Sequence, residues 1–312
     1  MVAEKYTETP LNMEEIISFV VTDPNDIVRK ILIQKSCFFY DTCSFRRHAN
    51  LRHDEALCIM NYIKAKNGII VITRCILMEL ASHSGILNKE YIAYMRELKE
   101  AGIDVLIMYE EDLFTVLEMC FSTNEIINKH LCWAVRNIIS PAGTITETIE
   151  ENPQIKEEVV KGKNLTNSKV YKKFFAAVRS NKRSDDDLGE ETLAICLYLL
   201  ASLPGEDDGK FCVITDDKEA ASKLSLMNQK AEKHAGGKKI MILSTSKLTQ
   251  IMYREHFLMN QEQAEKILSA GIDGNIVILG ARIYDIRAKD ISISCRDLAE
   301  LIATPNGIHV IF

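Results

Sequence analysis

The residues best placed to do chemistry are carboxylates at the points where short apolar runs stop. Cys37-Phe38-Phe39-Tyr40 closes on Asp41, and Phe211-Cys212-Val213-Ile214-Thr215 closes on Asp216-Asp217. Between them stand Glu79, set among Ile76, Leu77, Met78 and Leu80, and the group Asp185, Asp186, Asp187, Glu190 and Glu191. Buried carboxylates without partners are costly, so several that converge on one locus need a cation. A set of oxygen ligands with no histidine or thiol favours Mg2+ or Mn2+ over zinc. Mg2+ keeps several waters and needs only one or two direct carboxylates, so loosely spaced acids suffice. Two such ions about 4 Å apart can activate a water and hold the leaving oxygen in a phosphodiester displacement. Each acid also has a plainer use. Asp41, Asp217 and Asp185 to Asp187 precede helices they could cap, and Glu79 could simply face solvent.

These acids need elements to hold them. Continuous apolar runs of this length read as strands buried on both faces of a parallel sheet. Cys37–Asp41, Ile69–Thr73, Ile103–Met108, Phe211–Thr215 and Ile240–Leu243 give five strands. Helical spacing fills the intervals at Leu51–Ile63, Ile76–Leu80, Lys89–Glu100, Leu193–Leu200 and Lys218–Lys233. Alternation of strand and helix implies right-handed crossovers and helices on both faces of the sheet. Ligands in such sheets bind outside the carboxyl ends of the strands, which is where Asp41 and Asp217 fall.

Around that core the chain divides. Residues 1–34 read as an N-terminal helical extension, with a helix start at Pro24-Asn25-Asp26. The sheet domain spans 35–256. A long helical insertion interrupts it at about 110–183, broken at Pro141-Ala142-Gly143, with a polar, mobile stretch from Glu147 to Lys161. Residues 257–312 form a small C-terminal α+β region: a helix at Gln261–Leu268 and short strands near Ile276–Leu279, Ile291–Ile293 and Ile308–Ile311.

The 312-residue chain is 47% hydrophobic and 26% charged, ordinary globular material. No apolar stretch approaches the roughly 20 residues of a membrane span. Nine scattered cysteines without a C-x-x-C pair support neither a zinc site nor a disulfide frame. Together with a start lacking the pattern of a secretory signal, this leads us to expect a cytoplasmic protein. The net charge of −6 does not itself suggest a nucleic-acid partner. Its distribution does: Arg46, Arg47, Arg52 and His53 follow Asp41, and Lys169, Lys172, Lys173, Arg179, Lys182 and Arg183 precede the acidic run. Positive charge beside clustered carboxylates suits a polyphosphate backbone.

The segments Phe39-Tyr40-Asp41-Thr42, Thr73-Arg74-Cys75-Ile76-Leu77-Met78-Glu79-Leu80, Leu188-Gly189-Glu190-Glu191-Thr192-Leu193-Ala194 and Val213-Ile214-Thr215-Asp216-Asp217-Lys218 resemble, in order, the four acidic motifs of PIN-domain nucleases. The resemblance covers about residues 35–245. It implies a flap-nuclease-like, three-layer α/β/α sandwich around a mainly parallel five-stranded sheet, and Mg2+- or Mn2+-dependent hydrolysis of RNA, or of single-stranded or structured DNA. It also implies that Asp41, Glu79 and Asp217 organise metal, with Asp216 able to share the task. For the third acid, a Gly-Glu form of the motif selects Glu190, and a plain aspartate ahead of the helix selects Asp186 or Asp187. Cys43 stands where many members carry asparagine, and the insertion is longer than in small toxin-type members.

The expected catalytic set is therefore Asp41, Glu79, Glu190 and Asp217, with Asp187 and Asp216 as further metal ligands. Arg46, Arg47, Lys172, Lys173 and Arg183 are expected to hold flanking phosphates, contributing affinity but no sequence information. A homodimer stays open, and no membrane partner is expected. The competing expectation is a PIN-like module that binds RNA or protein without cutting. Other α/β chemistries fit less well. Asp41-Thr42-Cys43 lacks the second aspartate of a haloacid-dehalogenase-type phosphatase, and Gly236-Gly237-Lys238 lacks the spacing of a P-loop.

Overall fold

Strands in this chain form where β-branched and aromatic residues run uninterrupted. The computed structural model, which describes residues 6–138 and 143–312, joins six of them into one parallel sheet. In chain order the elements of its first half are β1 (Val20–Val21), α1 (Pro24–Ile33), β2 (Ser36–Tyr40), α2 (Thr42–Ala49), α3 (His53–Ala65), β3 (Gly68–Thr73), α4 (Arg74–Ala81), α5 (Lys89–Glu100) and β4 (Val105–Met108). The helical insertion then contributes α6 (Leu113–Glu118), α7 (Asn124–Ile138), α8 (Thr144–Glu151), the single turn α9 (Pro153–Ile155) and α10 (Val170–Ser180). The sheet resumes with α11 (Leu188–Ala201), β5 (Phe211–Ile214), α12 (Lys218–Ala235) and β6 (Met241–Leu243).

The strand order is β1-β4-β3-β2-β5-β6. Five strands are legible in the sequence; the sixth, β1, pairs Val20 with Val105 and Val21 with Leu106. Two residues leave no periodicity to detect, so the N-terminal extension is helical only in part and supplies a sheet edge as well.

Successive side chains of a strand point to opposite faces. Phe38, Tyr40, Ile70, Ile72, Cys212 and Ile214 enter one core cluster, and Cys37, Phe39, Ile69, Val71, Phe211 and Val213 enter another. Both faces are thus covered, which is why the strand sequences are apolar at consecutive positions. Ala56, Ile59, Met60 and Ile63 form the buried stripe of α3, while Leu57 is exposed.

The stretch from Glu147 to Lys161, expected to be mobile, is helical. Ile149, Ile155 and Val159 are buried within it, as is Ile145 just before it, and α9 leads into a π-helical turn over Lys156–Val160. Four apolar residues among many charges were enough to fold the segment down. Pro141 and Ala142, read as the break in the insertion, lie outside the described residues.

After β6 come α13 (Thr245–Arg254), α14 (Gln261–Ser269), β7 (Asn275–Ala281), β8 (Lys289–Ser294), α15 (Cys295–Ala303) and β9 (His309–Val310). β7 to β9 make an antiparallel sheet in the order β8-β7-β9. Helix α15, absent from the sequence expectation, is capped by Ser294, whose side chain accepts from the Asp297 amide at 3.0 Å, and buries Leu298, Ala299 and Ile302. Ile278, Leu298 and Ile302 belong to the same core cluster as Phe38 and Tyr40. The C-terminal region and the main sheet therefore share one apolar interior. No helix among the described residues is long and apolar enough to cross a membrane.

Candidate active site

From β2 the chain builds outward to β3 and β4, then crosses back to add β5 and β6 on the other side. The crossovers diverge between β2 and β5, and a crevice forms at the carboxyl ends of strands at such a switch point. Asp41 directly follows β2 and Asp217 lies just beyond β5. A cleft of about 350 Å³ opens there, lined by Asp41, Glu79, Glu190 and Asp217, by Asp185 and Asp186, and by Arg46 and Lys182.

Each acid is held by local structure. Asp41 is 5% exposed and caps α2. Its Oδ1 accepts from the Thr42 amide at 2.8 Å, and its Oδ2 from Thr215 Oγ1 and Cys43 Sγ, both at 2.9 Å. Asp217 caps α12, with Oδ1 accepting from the amides of Glu219 (2.7 Å) and Ala220 (3.0 Å). Capping and a place in the cleft are compatible, because a carboxylate has lone pairs to spare. Glu79 projects from α4 and accepts from Thr42 Oγ1. Gly189, at the start of α11, faces it: a β-carbon there would stand 2.5 Å from Glu79 Oε1. The Gly-Glu pair thus places Glu190 in the cleft while leaving room for Glu79.

The acids feel one another. Burial, with the Asp41 carboxylate adding to it, raises the pKa of Glu79 even though Lys182 opposes the shift. Glu190 is pushed up to about 7, by burial first and then by Asp217 and Asp41. Desolvation and the Asp41 carboxylate push the pKa of the Cys43 thiol up to about 12, which favours its protonated form at neutral pH.

Two lysines answer this charge. Lys182 Nζ lies 3.0 Å from Glu79 Oε1 and also pairs with Asp186; Lys223 Nζ lies 3.1 Å from Glu190 Oε2 and also pairs with Asp187. Burial would lower the pKa of Lys182, but Glu79 and Asp186 outweigh it and raise it. Among the described residues no three His, Cys, Asp or Glu side chains gather into a group that could hold one ion. The donor set still fits Mg2+ or Mn2+: every cleft acid offers hard oxygens, and Mg2+ takes only one or two carboxylates beside its waters.

Other expected site residues sit elsewhere. Asp216 turns beneath the cleft, where its carboxylate accepts from the Thr245 amide (2.7 Å) and Ser44 Oγ (3.1 Å) and pairs with Arg47 at 3.1 Å. Burial works against its charge, yet Arg47 and Thr245 prevail and hold its pKa below the usual range. Arg47 also donates to the Leu268 carbonyl, and neither partner lines the cleft. Asp187 points to Lys223 at the surface. Lys172 is exposed on α10, Lys173 pairs with Glu158 at 3.3 Å, and Arg183 pairs with Glu147 at 2.7 Å. None of these three lines the cleft. Of the expected cations, Arg46 does, with Nη2 donating to the Glu79 carbonyl at 2.7 Å.

Sequence reasoning passed over Lys182 as a site residue. Its signal was the i,i+4 spacing to Asp186, which ties the basic run to the acidic one. No family model, curated protein or solved structure matches this chain.

Proposed function

We propose that the cleft is the phosphodiesterase site of a PIN-like, Mg2+- or Mn2+-dependent nuclease, most simply an endoribonuclease. One observation carries this reading: Asp41, Glu79, Glu190 and Asp217, far apart in sequence, line a single cleft at the switch point of a parallel sheet covered on both faces. That arrangement is what the α/β/α layering of the family resemblance implies.

Asp41 and Asp217 are the acids best placed to hold the ion, since neither is paired with a lysine; Glu79 and Glu190 join once Lys182 and Lys223 let go. A bound divalent ion supplies Lewis acidity toward water and toward the scissile phosphate. The protein's own groups do the remainder. Thr42, Thr215 and Cys43 fix the Asp41 carboxylate in place, so this group needs no reorganisation of its own. Arg46 and Lys182, released from Glu79, face the cleft and neutralise phosphate charge on either side of the bond that breaks. Phosphate contacts of this kind position a strand and do not read its bases.

The lysines favour a second reading. If Lys182 and Lys223 remain in place, Glu79 and Glu190 stay paired without metal, and the domain binds RNA or a protein partner without cutting it.

RNA cleavage in Mn2+ distinguishes the two. Asparagine keeps the capping oxygen of Asp41 and Asp217, so both substitutions leave the helices capped. Wild type cleaves a mixed RNA pool, and Asp41→Asn and Asp217→Asn each lower the rate by at least about a hundredfold with unchanged circular dichroism. Equal rates in all three proteins remove the cleft from the chemistry; no cleavage by wild type selects the binding module.

A further inference from the structure

Residues 6–10 form neither helix nor strand, yet the stretch from Glu8 to Asn12 is tied down beside the cleft. Its ties run to two elements. On the side of α4, the Glu8 carbonyl accepts from Arg74 Nη1 at 3.3 Å, and the Leu11 amide donates to the Gly85 carbonyl at 2.7 Å. Asn12 closes two hydrogen bonds on Leu87, donating through Nδ2 to its carbonyl at 3.1 Å and accepting from its amide at 2.9 Å. On the side of α10, Glu8 Oε1 lies 3.4 Å from Arg179 Nε. Glu79 belongs to α4, and Lys182 follows α10 closely. The segment thus clasps the two elements that bring Lys182 and Glu79 together.

Tyr6 stands at the end of this clasp and lines the cleft. Lys182 Nζ sits 5.4 Å from the centre of its ring, within the range of a cation–π contact. His83 packs against the same tyrosine, with ring centroids 4.6 Å apart. The amine therefore has three neighbours: Glu79 Oε1 at 3.0 Å, the Asp186 carboxylate and the Tyr6 ring. A divalent ion that takes Glu79 must displace this amine, so whatever steadies the amine weakens the hold of the ion. The ring acts in two ways. It attracts the cation directly, and it helps keep water from a lysine side chain only 3% exposed, where an ion pair is stronger than in bulk solvent.

We propose that Tyr6 is a positioning residue: by holding Lys182 against Glu79, it sets the affinity of the cleft for its divalent ion. The inference rests on the metal-dependent reading of the cleft and adds to it a residue, far from the four acids in the chain, that tunes their availability.

Mn2+ binding to the full chain is measured by electron paramagnetic resonance of the free ion, without nucleic acid, for wild type, Tyr6→Ala and Tyr6→Phe. Tyr6→Ala, which removes the ring, binds Mn2+ about threefold to tenfold more tightly; Tyr6→Phe, which keeps it, matches wild type. In a Lys182→Met background Tyr6→Ala changes the affinity by less than about twofold, because the effect travels through the amine. Unchanged or weaker binding by Tyr6→Ala overturns the proposal and leaves the metal site standing. So does an equal gain in Tyr6→Phe, or in the Lys182→Met background, where a general loosening of the cleft is the cause. No Mn2+ bound by any of these proteins up to millimolar ion overturns both the proposal and the metal-dependent reading beneath it.

Discussion

At the scale of single residues, neighbouring carboxylates differ by what surrounds them. Asp216 and Asp217 are adjacent, yet one pairs with Arg47 and Thr245 beneath the cleft and the other lines it. Asp216→Ala leaves the guanidinium of Arg47 unpaired in a largely buried place and costs about 3 kcal/mol in a denaturant titration; Asp217→Asn leaves stability near wild type. Lys182, with a side chain 3% exposed, pairs with both Glu79 and Asp186. Lys182→Met therefore lowers stability by about 3 kcal/mol, and Mn2+ raises the Tm of that variant more than the Tm of wild type. Glu191, at 3% exposure, carries a pKa pushed up to about 7 by burial, against an ordinary value of 4.5. The folded state then holds a proton that the unfolded state has lost between those pH values, so this residue makes stability fall as pH rises from 4.5 to 7. Glu191→Gln keeps the acceptor for the Ile145 amide and flattens that slope, adding on the order of 2 kcal/mol at pH 8.

At the scale of elements, α11 connects the parts. It buries nearly every side chain between Leu188 and Ala201, and its first turn sets Gly189 against Glu79. In Gly189→Ala the new methyl meets the end of a flexible side chain rather than backbone, so the helix survives and Glu79 swings aside. The expected result is a Tm within a few degrees of wild type and a cleavage rate at least about tenfold lower. How much of this was legible depends on the length of each signal. The strands carrying Asp41 and Asp217 were plain, because burial on both faces writes an unbroken apolar run. β1 was not, since two residues carry no period. α8 and its continuation were hidden because four apolar side chains are spread through many charges. Asp41, Glu79, Glu190 and Asp217 could be picked out from their places at strand and helix ends, but direction could not. Whether Arg47 or Lys182 turns toward the cleft is decided by tertiary partners, Asp216 for one and Glu79 for the other.

For the whole molecule, the distribution of charge matters more than its sum. A chain of net charge −6 gathers carboxylates at one end of α11 and cations at the other. The interior is also shared: Leu248, Met252, Ile278 and Leu298 lie in the same cluster as Phe38 and Tyr40. Truncation after residue 256 uncovers that cluster and yields insoluble protein, visible as loss of the soluble fraction on expression. The account stands or falls on the cleft taking a divalent ion. Its most direct test is a crystal soaked in Mn2+ and measured for anomalous scattering. The expected result is a peak within the cleft, touching Asp41 or Asp217, with Lys182 turned away from Glu79. A cleft without manganese, its lysines still on Glu79 and Glu190, contradicts it.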